Sequence, residues 1–366
     1  EAMHMPRPPR ALVLTAICVG LITCMTGESI AMERYVAIDN VCAWPNLTLL
    51  PNGDIIAVIF NQPCHGTREG DVEAWASTDD GRTWQLRGVV APHEPDTVRM
   101  NVAAGLAHDG ALVALVSGWS NREPLGDEPI SGGAFRSDIL EPWVCRSDDG
   151  GRTWEHTADA VTLPPDVYAV IPFGDIVQAD ENTLVASFYS RLSRAEYRPN
   201  CYVTLSHDDG RTWPEYHIVG EESFNETALL RTSDGTWLAA ARTMGGGRLD
   251  LFAADDPAGA WEARGALTLP RQHPGHLLEL DDGRILATFG MRNRGMYGVG
   301  VRISGDGVNW SAPAFLVDLH DATDGGYPAS VQLDDGTIVT AYYGNRTLGH
   351  DRYHMGVVRW EIDEMF

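Results

Sequence analysis

Two kinds of internal repeat predict an all-β chain, folded as a six-bladed β-propeller of four-stranded antiparallel blades. The first is the signature S-x-D-x-G-x-T-W. It occurs at residues 77–84, 147–154 and 206–213, in shortened form at 304–310 and in worn form around Asp256, Gly259 and Trp261. The second is a β-rich run, a two-residue turn and another β-rich run. After residue 32 no helical periodicity of any length competes with these patterns.

The hairpin repeat turns at Asn52-Gly53, Asp109-Gly110, Glu181-Asn182, Asp234-Gly235, Asp282-Gly283 and Asp335-Gly336. Asn-Gly and Asp-Gly supply the positive φ that tight β-turns need, so each site reads as the turn of a hairpin. A further strand, and in most cases a signature copy, follows each hairpin and completes a four-stranded unit. In the last unit, residues 353–362 give the third strand, and residues 33–38 are expected to return as its missing outer strand. The signature itself suits a tight loop: its Asp accepts backbone N–H groups, its Gly takes φ > 0 and its Trp plugs the gap to the next unit. It therefore reads as architecture, and the chemistry is sought elsewhere.

A formal charge of −24 over 366 residues argues against nucleic acid and anionic membrane surfaces as partners, since phosphate neutralisation needs basic patches. All 27 basic residues are Arg, which excludes Schiff-base chemistry and pyridoxal phosphate attachment. Six Cys lie at 18, 24, 42, 64, 145 and 201 without CxxC or Cys/His ligand spacing, so no metal is expected. No nucleotide or flavin signature occurs either, and no cofactor is expected. Cys42 and Cys64 sit almost symmetrically about Asn52-Gly53, which leaves a disulfide between them open. Residues 1–5 read as vector-derived. Arg7 and Arg10, the apolar run 11–25 and Ser29-Ile30-Ala31 then read as a secretory signal, implying a secreted or periplasmic protein; translation from Met32 is the cytoplasmic alternative. Residues 32–366 read as a single propeller domain.

Hairpin geometry locates a candidate site. The start of a unit's first strand meets the end of its second at the rim opposite the turn. Counting symmetrically about each turn sets Glu226 against Arg242, His273 against Arg292 and Tyr327 against Tyr343. His65 falls near the level of Ala43 and Trp44, and the second and third units add Arg99 and Arg191. One rim thus gathers a carboxylate, arginines, histidines and tyrosines, a mixture suited to binding an anionic sugar and breaking a glycosidic bond.

The repeated signature resembles the Asp-box of the sialidase superfamily, and the resemblance spans nearly everything from residue 33 onward. It implies that Phe224-Asn225-Glu226-Thr227 with Ala241-Arg242 is the family's Glu and Arg pair. It also implies that Tyr327, in Gly325-Gly326-Tyr327-Pro328, is the nucleophile. The fifth-blade Arg of the carboxylate clamp maps to Arg292 or Arg294. A phenol is neutral at its ordinary pKa, so it approaches an anomeric centre bearing a carboxylate without repulsion, and Glu226 takes its proton. Two positions depart from the family pattern. Where F-R-I-P supplies a clamp Arg, this chain has Cys42-Ala43-Trp44-Pro45; Arg99 is a substitute, and Trp44 favours stacking on a sugar face. Where the acid/base Asp is expected, His65 stands, with Asp71 and Glu73 as alternatives. The leading reading is an exo-acting glycoside hydrolase of sialidase type acting on a terminal sialic acid or related acidic sugar. The alternatives are a lyase acting on uronate-containing glycans and a non-catalytic carbohydrate-binding propeller.

Overall fold

All six predicted hairpins form in the computed structural model, which describes residues 32–121, 137–191, 198–221 and 223–366. The segment read as a secretory signal, with Cys18 and Cys24, lies outside the described residues. After β1 (Glu33–Asp39), one sheet holds β2 (Cys42–Leu49), β3 (Ile55–Phe60), β4 (Val72–Ser77) and β5 (Gln85–Ala91). The next strands are β6 (Thr97–Leu106), β7 (Leu112–Ser120), β8 (Asp138–Ser147) and β9 (Glu155–Thr157), then β10 (Ala169–Gln178), β11 (Leu184–Arg191), β12 (Cys201–Ser206) and β13 (Glu215–Gly220). Two separate sheets follow. One is β14 (Phe224–Arg231), β15 (Trp237–Thr243), β16 (Leu249–Ala254) and β17 (Glu262–Ala266). The other is β18 (Gln272–Glu279), β19 (Ile285–Asn293), β20 (Met296–Ser304) and β21 (Ala314–Asp318). The last sheet, in the order β1, β24 (His354–Trp360), β23 (Ile338–Gly344), β22 (Gly325–Gln332), takes β1 as its outer strand, as expected from the sequence.

The expectation of six separate blades is corrected: among the described residues four sheets stand alone as four-stranded blades, and β6 to β13 form one eight-stranded sheet. A short parallel ladder causes the fusion, pairing Gly174, Asp175 and Ile176 with Ala103, Ala104 and Gly105. β10 is bulged between Phe173 and Val177, and Gly174 at φ +81 lets its main chain swing toward β6. At Gly105 a Cβ would lie 2.2 Å from the Ile176 carbonyl oxygen, so only glycine admits the approach. The innermost strands close a ring, β2, β6, β10, β14, β18, β22 and back to β2, each packed on the next. This is an all-β propeller.

Because every sheet is stacked between neighbours, a middle strand is apolar on both faces. In β3, Ile55, Ala57 and Ile59 pack toward Val339, Ala341 and Val357, while Ile56 and Val58 pack toward Leu112, Ala114 and Val116. Successive side chains point to opposite faces, which is why this strand reads as an unbroken apolar run. The free thiols of Cys42 and Cys64 correct the disulfide left open by the sequence. Cys42 pairs with Phe60 across the hairpin, so Cys64 lies beyond the strand end. The two share one buried cluster without a bond.

The signature loops behave as predicted. Asp149 accepts from the Thr153 hydroxyl at 2.6 Å and its amide at 2.9 Å, Ser147 accepts from Gly151 N–H at 2.8 Å, and Trp154 Nε1 donates to the Gly151 carbonyl. Asp79, Asp208 and Asp306 repeat the pattern. At the worn copy Asp256 accepts from Ala258 N–H, and Trp261 Nε1 donates to the Pro257 carbonyl. These loops share a rim with the hairpin turns, since Asp209 accepts from the amides of His108 and Asp109. The Thr153 hydroxyl and amide hold the Asp149 carboxyl below the usual carboxylate range. Such a depressed group stabilises the fold above the unfolded value near 3.9 and stops doing so as pH falls through the folded value. Asp149→Asn is therefore expected to cost about 1 kcal/mol at pH 7, as for a lost capping carboxylate. Below about pH 4 the difference from wild type should shrink, which urea melts at pH 7 and pH 3 will measure.

Candidate functional site

The opposite rim is built by a recurring defect. All six hairpins carry a β-bulge in their first strand at this end, at Cys42/Asn46, Arg99/Asn101, Phe173/Val177, Phe224/Thr227, Gln272/Gly275 and Gly326/Ala329. A bulge adds a residue and re-aims the side chains around it. Two of the residues so displaced, Ala43 and Tyr327, have φ of 43° and 50°, the left-handed region that L side chains disfavour.

The re-aimed side chains converge. Tyr327, 6% exposed, donates its hydroxyl to Glu226 Oε1 at 2.6 Å. The other oxygen of Glu226 accepts from Arg242 Nη1 at 2.5 Å, and the same nitrogen lies 3.4 Å from the Tyr327 oxygen. Arg292 stands over the Tyr327 ring at 5.3 Å, donating to His273 Nδ1 at 3.4 Å and to the Gly325 carbonyl at 3.3 Å. Each of these arginines keeps a buried Nε with no hydrogen-bond partner among the described residues. Trp44 meets Tyr327 and His65 edge-on, both at 5.2 Å between centroids, and Phe173 closes the other side of Tyr327 at 6.1 Å.

The electrostatics follow from burial among charges. Burial, then the Glu226 charge, raises the Tyr327 phenol above its ordinary value, with Arg242 and Arg292 opposing. Burial penalises the Arg242 cation, but the charges of Glu226 and Tyr327 outweigh it and hold the guanidinium charged. Burial and the guanidinium charges of Arg242, Arg292 and Arg271 lower His273 to about 2. His273 is thus a neutral imidazole between cations, able to hydrogen-bond without adding charge.

Sequence counting brings Glu226, Arg242, Tyr327, Trp44, His65, Arg292 and His273 together. Of the two fifth-blade candidates, Arg292 reaches the cluster, while Arg294 is exposed at the tip between β19 and β20. Tyr343 is fully buried beneath it. Arg99 points into its own sheet, 3.8 Å over the Trp143 ring and bonded to the Glu141 carbonyl. Arg191 ends β11, 9% exposed. Asp71 is engaged by His93, and Glu73 by Asn61 and Trp75, so neither joins the cluster.

Four features escaped the sequence reading. Asp324 accepts from Tyr343 at 2.5 Å and Tyr353 at 2.5 Å and lies 3.2 Å from His65 Nδ1. Its burial is outweighed by these partners, His65 foremost, which hold its carboxyl below the usual range. The Asp-Gly-Gly-Tyr run was the available signal, because Asp324 enters the strand that carries Tyr327. Phe173 lies in a bulge that no apolar pattern marks. Below Tyr327, a cavity of about 30 Å³ on the ring of inner strands is lined by Asn46, Asp175 and His276. There Asp175 holds Asn46 at 2.8 Å and His276 at 3.0 Å. Finally, an open groove of about 650 Å³ between β13 and β16/β17, walled by Phe224, Phe252 and Trp261, contains none of the predicted site residues. Among the described residues no helix is long and apolar enough to cross a membrane.

The family of BNR repeat-like domains matches residues 53–340. A sialidase of Paraclostridium sordellii is 25% identical over 235 residues, covering 60% of this chain and 56% of the relative. A sialidase of Micromonospora viridifaciens is also 25% identical over 235 residues, covering 59% of this chain and 36% of the relative. The chain therefore spans about half of one relative and a third of the other. Among solved structures, a Dyadobacter fermentans protein of unknown function superposes with a TM-score of 0.77 at 23% identity, covering 90% of this chain and 98% of that one. A Hadza microbial sialidase gives 0.66 at 18%, covering 92% and 67%. At these identities the superpositions speak to the fold alone.

Proposed function

The chain belongs to the BNR repeat-like domain family, as a divergent member of the sialidase superfamily, and from that premise we propose an exo-acting glycoside hydrolase of sialidase type. Its substrate is a glycan ending in sialic acid or a related acidic sugar, and residues 32–366 act as one catalytic domain. The observation that carries the reading is the Tyr327 hydroxyl donated to Glu226 at 2.6 Å, inside a cluster that also holds two arginines.

In this mechanism the Tyr327 oxygen attacks the anomeric carbon while Glu226 takes the phenolic proton. The glycosidic C–O bond breaks, and His65 gives a proton to the departing oxygen. Water then attacks the tyrosyl glycoside, losing a proton to His65, and Tyr327 recovers its own from Glu226. Arg242 and Arg292 hold the sugar carboxylate, their unpartnered Nε groups marking two arginines not saturated by protein acceptors. Neutral His273 donates or accepts beside them, and Trp44, in place of a third arginine, offers an aromatic face to the ring. Secretion or export to the periplasm completes the reading and rests on the sequence pattern of residues 7–31 alone.

The test is hydrolysis of a fluorogenic α-sialoside by the purified protein. Release of the fluorophore, with no product absorbing in the ultraviolet from uronate glycans, is the expected result. A folded protein that binds sialic acid without turnover would move the assignment to a carbohydrate-binding propeller.

A further inference from the structure

A histidine is a useful proton donor and acceptor at one defined atom only when its other nitrogen is fixed. His65 lies in the segment between β3 and β4, and its Nδ1 is 3.2 Å from Asp324 Oδ2. An ionised carboxylate only accepts, so this contact requires the hydrogen to be on Nδ1. Asp324 is itself immobilised. Tyr353 donates to the same oxygen and Tyr343 to the other, each at 2.5 Å, and the Asp324 carbonyl accepts from Asn345 N–H at 3.2 Å. His65, Tyr343 and Tyr353, from three segments, thus set the plane of one carboxylate.

We propose that Asp324 is a positioning residue that holds His65 in its Nδ1–H form, so that proton exchange with the glycosidic oxygen and with water runs through Nε2 alone. The proposal rests on the glycosidase reading above and adds the residue that makes a histidine serviceable there. As an imidazolium, His65 releases its Nε2 proton to the leaving oxygen; as the neutral Nδ1–H form, it takes one from the attacking water. Without Asp324 the neutral ring is free to place its hydrogen on Nε2, where no lone pair remains for the second step.

Acid and nucleophile are also set by one stretch of chain. Asp324 precedes Tyr327 by three residues, and Gly326 at φ +95 turns the main chain between them, where a Cβ would lie 2.8 Å from Gly290 Cα. Trp44 stands between the His65 and Tyr327 rings at 5.2 Å from each. The spacing of proton donor and nucleophile is therefore fixed twice, by this segment and by the indole.

The experiment uses ¹⁵N-histidine-labelled protein, with the His65 resonances assigned by their loss in His65→Gln. In two-bond ¹H–¹⁵N spectra at alkaline pH, wild type should show His65 protonated at Nδ1, and Asp324→Asn should shift it to the Nε2–H form. On the sialoside, Asp324→Asn should lower kcat by about 10- to 100-fold with KM changed less than about threefold, since general acid–base help is worth about 10²–10⁴. Tyr353→Phe keeps both the carboxylate and His65, so it should keep the Nδ1–H form. An Nε2–H form in wild type, or a form and kcat unchanged in Asp324→Asn, overturns the proposal. The wild-type spectrum decides this even where Asp324→Asn fails to fold. A protein without sialoside turnover but with His65 in the Nδ1–H form would instead sink the glycosidase reading and leave the Asp324 to His65 contact standing.

Discussion

Tyr327→Phe is expected to lower kcat on an α-sialoside by about 10³-fold or more while the unfolding midpoint barely moves. The substitution removes one oxygen and nothing else. The ring stays packed on Trp44, Phe173 and Tyr343, and Arg292 still covers its face. Glu226 loses one donor but keeps Arg242 at 2.5 Å, so no buried charge is stranded, and stability should stay within about 1 kcal/mol of wild type. Parallel fluorogenic assays and thermal melts check both halves. Turnover retained in a folded Phe variant would remove the nucleophile from the proposal. Loss of turnover with loss of folding would say only that the hydroxyl holds the cluster together, a result that the surviving ion pair argues against.

Much of this site was legible because a hairpin's turn fixes its register. Counting outward from Asp234-Gly235 sets Glu226 against Arg242, and the observed ladder pairs Thr227 with Ala241, one step inside. The same counting sets His273 against Arg292, whereas the ladder pairs Gln272 with Met291 and places Arg292 one step further out. The count is already one step off at Gly275, which faces Phe289, and the bulges account for the remaining step. They leave no periodic trace in the sequence, yet they aim the functional side chains. The signature loops were legible as architecture for a local reason, since Ser, Asp, Gly, Thr and Trp satisfy one another within eight residues. Arg99 was misjudged because its level on the strand is right but its direction is not. Its guanidinium sits over Trp143, and strand spacing cannot foresee that preference of a cation for an aromatic face. The merging of β6 and β10 was equally hidden, for it depends on glycines at 105 and 174 that read singly as ordinary strand breaks. Asp324 lay in plain view beside Tyr327, but its three partners come from positions 65, 343 and 353, which only the closed ring brings together.

Arg242→Met is expected to destabilise the protein by about 3 kcal/mol, the lower part of the range for breaking a buried ion pair, because the Arg242 side chain keeps 21% of its surface exposed. Glu226, 6% exposed, would be left with the Tyr327 hydroxyl as its one named partner. Arg242→Met with Glu226→Gln should recover part of the loss, since removing both charges leaves nothing stranded, and denaturant melts of the two variants measure the difference. A second signature separates the ion pair from lost packing. His273 is lowered to about 2 by burial first and by the Arg242 charge next. Unfolded, it takes up a proton near its ordinary value of about 6.5, so between these values the unfolded state binds more protons and stability falls as the pH falls. Removing Arg242 takes away the largest opposing charge effect, lets folded His273 protonate at higher pH and narrows that interval from its acid side. The single variant should therefore be less stable than wild type at pH 7 and lose less on going from pH 7 to pH 2, the two profiles separating at the acid end of that interval. If the two pH profiles run parallel, the arginine's contribution is packing, and the electrostatic account of the cluster fails with it.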